Sequence, residues 1–443
     1  MARHPHHKFC NSGKMILTDE ALKRGLSPLS INVAMADPLS PRPYDDPAQQ
    51  AAGLLIRLGI AVLAIGVPSG SLMSRRLIFT VMPVGAALIV LGVLLDPKRA
   101  HMERLRTAIV SPLCLMTFFL MAWGLLSLLW TPFTAIAAER YFKTGGTVLF
   151  AMLTAAALPS HSKTSNLYLL PIGLGVGALT TLIIAILAPP LVVQDIETST
   201  LDRVCLTMGM LLWPALAALA VRDRWMSTGL LAVAVAVAII AVWMPAALGA
   251  LAAGAIVFSL SNSSQMKIGR VFGLAFAVLI LLAPALPLAL APLMRSSTSS
   301  FAVAMQTAEV LFTTEGLRLI AGHGYDTVAR GFMMGYLPST MPRSVIFEVW
   351  YELGLIGAAS LAALIYLAFS SATRLPKPLT GFMQGALVCG CTIGLSGLVT
   401  AQIWWITILS VVGILFALVA KGQYRTERPS AKSISANALK PQI

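Results

Sequence analysis

Arginine, carboxylate and histidine side chains collect at a few points of an otherwise apolar chain, and their types suit a negatively charged, oxygen-rich substrate. Arg140, Arg203, Arg295, Arg318, Arg330 and Arg343 stand beside or between apolar runs. Guanidinium forks donate paired hydrogen bonds to phosphate oxygens, so several of them converging would suit a diphosphate. Each arginine also has a plainer reading, as an interfacial side chain or as the ion-pair partner of Asp195, Glu197, Asp202, Glu309, Glu315, Asp326, Glu348 or Glu352. His323 lies between Gly322 and Gly324, where backbone can approach a ligand closely. It reads either as a proton acceptor or as a turn residue, and Glu348 and Glu352 are the other candidates for proton transfer. The five cysteines, Cys10, Cys114, Cys205, Cys389 and Cys391, are scattered, and their spacing indicates neither a disulfide framework nor a metal site.

The elements that must position these residues are membrane helices. A chain of 443 residues that is 57% hydrophobic and 11% charged carries more apolar surface than a water-soluble core can bury. Apolar runs near the ~20 residues needed to cross ~30 Å of hydrocarbon recur down its length. Candidate spans fall near 51–67, 77–95, 108–130, 145–159, 167–190, 204–221, 228–242, 245–260, 271–294, 353–370, 380–400 and 403–420. That makes an all-α integral membrane protein of about twelve helices, with Trp243-Met244-Pro245 as a very short hairpin turn; one long helix there would leave eleven. Residues 1–50 and 421–443 read as disordered cytoplasmic tails around a membrane domain, 51–420.

The formal charge of +14 does not imply nucleic acid, because the basic residues sit in tails and short loops. Lys98, Arg99, Arg104, Arg106, Arg222, Arg224, Lys267, Arg270, Arg374 and Lys377 fall on one side if the N-terminus is cytoplasmic, with Arg75 and Arg76 breaking the rule. The C-terminus then returns to the cytoplasm, and the largest periplasmic loop is 295–352, between the ninth and tenth helices. Within it, Phe301–Phe312 and Arg343–Gly354 are expected to be helices at the membrane surface. The spans are almost bare of charge apart from Arg57, which weighs against a transporter with a mid-membrane ion path.

The run Pro342-Arg-Ser-Val-Ile-Phe-Glu-Val-Trp-Tyr-Glu-Leu-Gly-Leu-Ile-Gly357 resembles the signature of the O-antigen ligase and polymerase superfamily, in which His-Asn precedes a Gly-x-x-Gly step. Ser344, Glu352, Gly354 and Gly357 fit that spacing, and Gly322-His-Gly324 resembles the family's Gly-x-Gly element. Trp130-Thr-Pro132 and Asp202-Arg203 before Leu212-Trp-Pro214 are similar to further family elements. The resemblance implies a GT-C-like glycosyltransferase of the bacterial inner membrane, without metal or cofactor. It would move a glycan from undecaprenyl diphosphate to lipid A-core or to a growing polysaccharide on the periplasmic face. Carried over by position, Arg203 would bind the diphosphate, with Arg140 a weaker candidate. The chain departs from the pattern at Arg343, which stands where the family has its histidine, and a guanidinium is no general base at neutral pH. Three readings follow: Arg343 joins the diphosphate clamp and leaves proton acceptance to His323, Glu348 or Glu352; the chain is polymerase-like; or it is a non-catalytic descendant. A transporter or flippase of lipid-linked glycan is the alternative of a different class.

Overall fold

The computed structural model describes residues 47–95, 100–159, 167–187, 200–263, 268–314, 318–400 and 402–422. Residues 1–46 and 423–443, most of the two expected tails, and Asp195, Glu197 and Glu315 therefore lie outside the described residues. Every described element is a helix. In chain order they are α1 (Pro47–Met73), α2 (Arg75–Leu95), α3 (Ala100–Ile109), α4 (Pro112–Ser127), α5 (Thr134–Ala157), α6 (Leu169–Leu187), α7 (Thr200–Ala220), α8 (Trp225–Val242) and α9 (Pro245–Ser263). There follow α10 (Ile268–Leu281), α11 (Ala285–Leu290), α12 (Ser300–Thr314), α13 (Arg318–Ala321), α14 (Thr327–Met334), α15 (Val345–Ala372), α16 (Leu379–Leu395) and α17 (Ile403–Ala420). Eight of these, α1, α2, α6, α7, α8, α9, α15 and α17, are long and apolar enough to cross a membrane, and α4, α10 and α16 are shorter apolar helices. This is the make-up of a multi-pass, all-α membrane protein.

Several boundaries differ from those expected, each for a local reason. The run 108–130 is interrupted at Ser111, whose side chain accepts a hydrogen bond from the Cys114 backbone N–H and starts α4 with Pro112 at its first position. The run 271–294 ends as a regular helix at Leu281 and turns through Pro284. Helix α5 begins at Thr134 rather than near 145, which places Arg140 inside a helix and not in a loop. The Trp243 turn is real: its left-handed backbone (φ 56°) ends α8, and α9 starts at Pro245. Phe301–Phe312 is helical within α12, and the helix expected over Arg343–Gly354 starts at Val345 and is set off from the rest of α15 by the non-helical backbone of Gly354.

The core forms around α7, which is buried along its whole length and packs against α1, α6, α8, α16 and α17. Its sequence explains the placement. Arg203 and Thr207 need hydrogen-bond acceptors that lipid does not supply. They find them in protein, Arg203 Nε donating to the Ser71 carbonyl at 3.1 Å and Thr207 Oγ1 to the Arg203 carbonyl at 2.8 Å. With lipid as apolar as leucine, helix contact depends on close fit. Trp213 of α7 shows it: a Cβ on Gly254 of α9 would lie 2.4 Å from its ring and 2.8 Å from the Gly385 carbonyl of α16.

Gly254→Ala is accordingly expected to lower the melting temperature of the detergent-purified protein, at a cost of about 1–3 kcal/mol from overpacking. Gly249→Ala, on the same helix but facing open space, should leave it unchanged. Equal melting temperatures for the two variants would show that this contact does not limit packing.

Candidate functional site

The site is organised by a break inside α15. Glu352-Leu353-Gly354 carries an apolar helix to a glycine with φ 65° and ψ −160°, a conformation that favours glycine. The carbonyls at such a break need new donors. Tyr351 O receives the His323 backbone N–H at 2.9 Å and Glu352 O that of Gly324 at 2.9 Å. Leu353 O receives the Trp123 indole N–H from α4, also at 2.9 Å. The approach is tight: a Cβ on Gly322, itself at φ 76°, would fall 2.2 Å from the Glu352 carbonyl. The Gly322-His-Gly324 and Glu352-Leu-Gly354 elements thus meet backbone to backbone. The His323 ring lies flat on Tyr351, centroids 3.9 Å apart, with Nδ1 3.0 Å from the Tyr351 carbonyl.

Beyond Gly324 the chain is pinned by the end of α4. The backbone N–H of Tyr325 donates to Ser127 Oγ at 3.2 Å, and Thr131 Oγ1 donates to the Tyr325 carbonyl at 3.1 Å. That holds Asp326 at a left-handed turn (φ 64°) in front of α14. Its fully buried carboxylate accepts a charge-assisted hydrogen bond from Arg140 of α5 and another from Arg330 Nε at 3.3 Å. Glu352 Oε1 accepts the Val328 backbone N–H at 3.1 Å, a carboxylate set at the start of α14.

These groups head a cavity of about 790 Å³. Arg140, Thr144, Tyr325, Asp326, Glu348 and Glu352 line one end, and the rest of the wall is largely apolar, from α4, α5, α15 and α17. It follows α5 from Arg140 to Ala156, sixteen residues and roughly 24 Å of helix. At the far end Lys421 Nζ donates to the Ala155 carbonyl at 2.9 Å, so α5 and α17 end together. Burial pushes the Tyr325 phenol up to about 12, so at neutral pH it is a donor and not a base. Glu348 and Glu352, one turn apart on one face of α15, are the other carboxyl groups at the head of the cavity. Among the described residues no group of three or more His, Cys, Asp or Glu side chains gathers as metal ligands.

Of the residues expected from sequence, Arg140, Glu348 and Glu352 are brought together on the cavity wall. Gly322, Gly324 and Gly354 allow the backbone contact beside it. Gly357 fits the next turn, where a Cβ would meet that of Leu353 at 2.2 Å, and Ser344 caps α15 by accepting the Phe347 N–H at 3.3 Å. Arg203, Arg343 and His323 do not line the cavity. Arg203 is buried against α1, and Arg343 is exposed, its guanidinium 5.0 Å above the Phe332 ring. Sequence reasoning missed Tyr325 and Thr144 as wall residues and weighed Asp326 only as an ion-pair partner. The available signal was position: Tyr325 and Asp326 directly follow Gly-x-Gly, and Thr144 is one turn on from Arg140.

Asp326 holds two cations, so its loss leaves half-buried guanidiniums without a counter-charge. Asp326→Ala is expected to cost about 3–5 kcal/mol, read as a fall in melting temperature. In a double-mutant cycle Arg140→Ala should add little on top of it. Strictly additive effects would mean that the pair is not coupled.

Compared with models of known protein families and with curated proteins, the chain matches none.

Proposed function

We propose that this protein transfers a glycan from a polyprenyl diphosphate carrier to an acceptor sugar at the outer face of a bacterial inner membrane, in the manner of an O-antigen ligase. The observation that carries the reading is the amphipathic cavity: one charged and hydrogen-bonding end on a long apolar channel along α5. A lipid-linked diphosphate has the same division, with an isoprenoid chain for the apolar wall and a diphosphate-sugar head for Arg140 and Tyr325. The same reading takes α4, α5, α10 and α16 as further spans, twelve in all. It places both termini in the cytoplasm, with the Arg140 end of the bundle facing the periplasm.

The step is a displacement at the anomeric carbon. The acceptor hydroxyl oxygen attacks, the carbon–oxygen bond to the diphosphate breaks, and the bonding pair leaves on the diphosphate. Glu348 or Glu352 takes the hydroxyl proton. Arg140 is fixed in advance by Asp326, so it meets the charge that grows on the leaving oxygen without reorganising. His323 and Arg343 stand outside this path, which leaves a role for the arginine at the family's histidine position unnecessary.

A second reading, a flippase of the same lipid, draws on the reach of the cavity towards the opposite end of α5. One experiment separates them. Purified protein in liposomes with undecaprenyl-diphosphate glycan and candidate acceptors, lipid A-core or polysaccharide, should release undecaprenyl diphosphate and form a new glycoconjugate. Arg140→Ala and Glu352→Gln should each lower the rate by about 100-fold or more, while Arg343→Ala stays within a few-fold of the unmodified protein. Movement of the carrier across the bilayer without bond cleavage, with any acceptor, would overturn the transferase reading.

A further inference from the structure

At the end of the bundle opposite to Arg140, two guanidiniums converge on one phenol ring. Tyr168 precedes α6, Arg222 follows α7 and Arg224 precedes α8. The guanidinium carbon of Arg222 lies 3.7 Å from the centroid of the Tyr168 ring and that of Arg224 5.5 Å from it. A ring face attracts a cation but does not accept the N–H groups that radiate in the guanidinium plane. For Arg222 both Nη1 and Nη2 are buried without a hydrogen-bond partner. Asp223, between the two arginines in sequence, forms no ion pair with either among the described residues. Two like charges on one ring, with buried donors unsatisfied, form an arrangement that an anion completes.

The surroundings point to the source of that anion. Trp225, Met226 and Leu230, in the first turns of α8, are 46%, 90% and 73% exposed, and α8 is of membrane-crossing length and composition. A ligand with acyl chains would cover these side chains, whereas a free ion would not. Arg374, Lys377 and Lys421 belong to the same end of the bundle, the basic side that the positive-inside rule assigns to the cytoplasm, and that leaflet is rich in anionic lipid. We propose that Arg222 and Arg224, with Tyr168 as platform, bind the phosphate diester of an anionic phospholipid in the cytoplasmic leaflet. The two guanidiniums fork onto the phosphate oxygens, and the acyl chains lie along α8.

The test uses the full chain in detergent, titrated with dioleoyl phosphatidylglycerol, dioleoyl phosphatidylcholine or inorganic phosphate, and read by native mass spectrometry and melting temperature. Phosphatidylglycerol should be retained and should stabilise the protein, phosphatidylcholine should do neither, and inorganic phosphate should not displace the lipid. Arg222→Gln and Arg224→Gln should each weaken retention about tenfold, as for the loss of a charged hydrogen bond. Arg222→Lys, which keeps charge without the fork, should fall between, and Arg374→Gln, exposed at the same end, should retain lipid like the unmodified protein. If Arg222→Gln does not fold, Arg224→Gln and Arg222→Lys carry the test. Equal retention of the two lipids, or an equal loss with Arg374→Gln, would reduce the site to general surface charge and overturn it. Displacement of the lipid by inorganic phosphate would overturn the lipid assignment.

Discussion

A helix that breaks inside a lipid-facing bundle must find new partners for its freed carbonyls, and the partners it finds decide what else can be built there. In α15 the break at Gly354 is met by the backbone of Gly322-His-Gly324 on one side and by Trp123 on the other. Once residues 322–324 are tied to Tyr351 and Glu352, the following Tyr325 and Asp326 have little freedom. They are carried to α5, where Asp326 meets Arg140. The three glycines at this crossing are geometric requirements, because a side chain at any of them would enter the facing backbone.

That crossing also explains why charge is tolerated on the wall of an otherwise apolar cavity. Arg140 is neutralised by a carboxylate with no exposure of its own, and that carboxylate is shared with Arg330. Glu352 rests one oxygen on the start of α14. The cation of the wall thus has its counter-charge built in beside it. A ligand would meet side chains already positioned, the condition for electrostatic help at a transition state.

Much of this crossing was legible in the sequence, but not its third dimension. Gly322-His-Gly324 and Glu352-Leu-Gly354 stand out as glycine-marked elements in one polar stretch, and both belong to the crossing. Nothing along the chain tells which loop arginine reaches them, because that depends on helix packing. Arg203 and Arg140 look alike beside their apolar runs, yet one satisfies the α1 backbone and the other faces the cavity. Along the sequence Arg140 reads as a loop residue, because Glu139, Arg140 and Lys143 depress the hydropathy of the first turns of α5. The residues that rescue those turns, Asp326 above all, come from almost two hundred positions away. Of the two readings open for His323, the turn residue fits its surroundings: its ring stacks on Tyr351 and its backbone N–H meets the Tyr351 carbonyl.

The two ends of the bundle handle charge differently, and the difference bears on the choice between chemistry and passage. At the Arg140 end the Arg140–Asp326 ion pair is set on a cavity wall beside Glu348 and Glu352. At the opposite end Lys421 closes over the backbone carbonyls that end α5, and Arg222 stacks on the Tyr168 ring. A conduit that carried a diphosphate from end to end would need a polar path between them, since a desolvated phosphate is costly in hydrocarbon. The wall between Thr144 and Ala156 offers Val148, Ala151, Met152 and Ala155 from α5, faced by mostly apolar side chains with Thr117 of α4 and Ser410 of α17 as single hydroxyls. Such a wall suits a hydrocarbon chain at rest better than a charged head in transit, and on that ground the asymmetry of the cavity favours a bond-breaking role at one end over transport between the two.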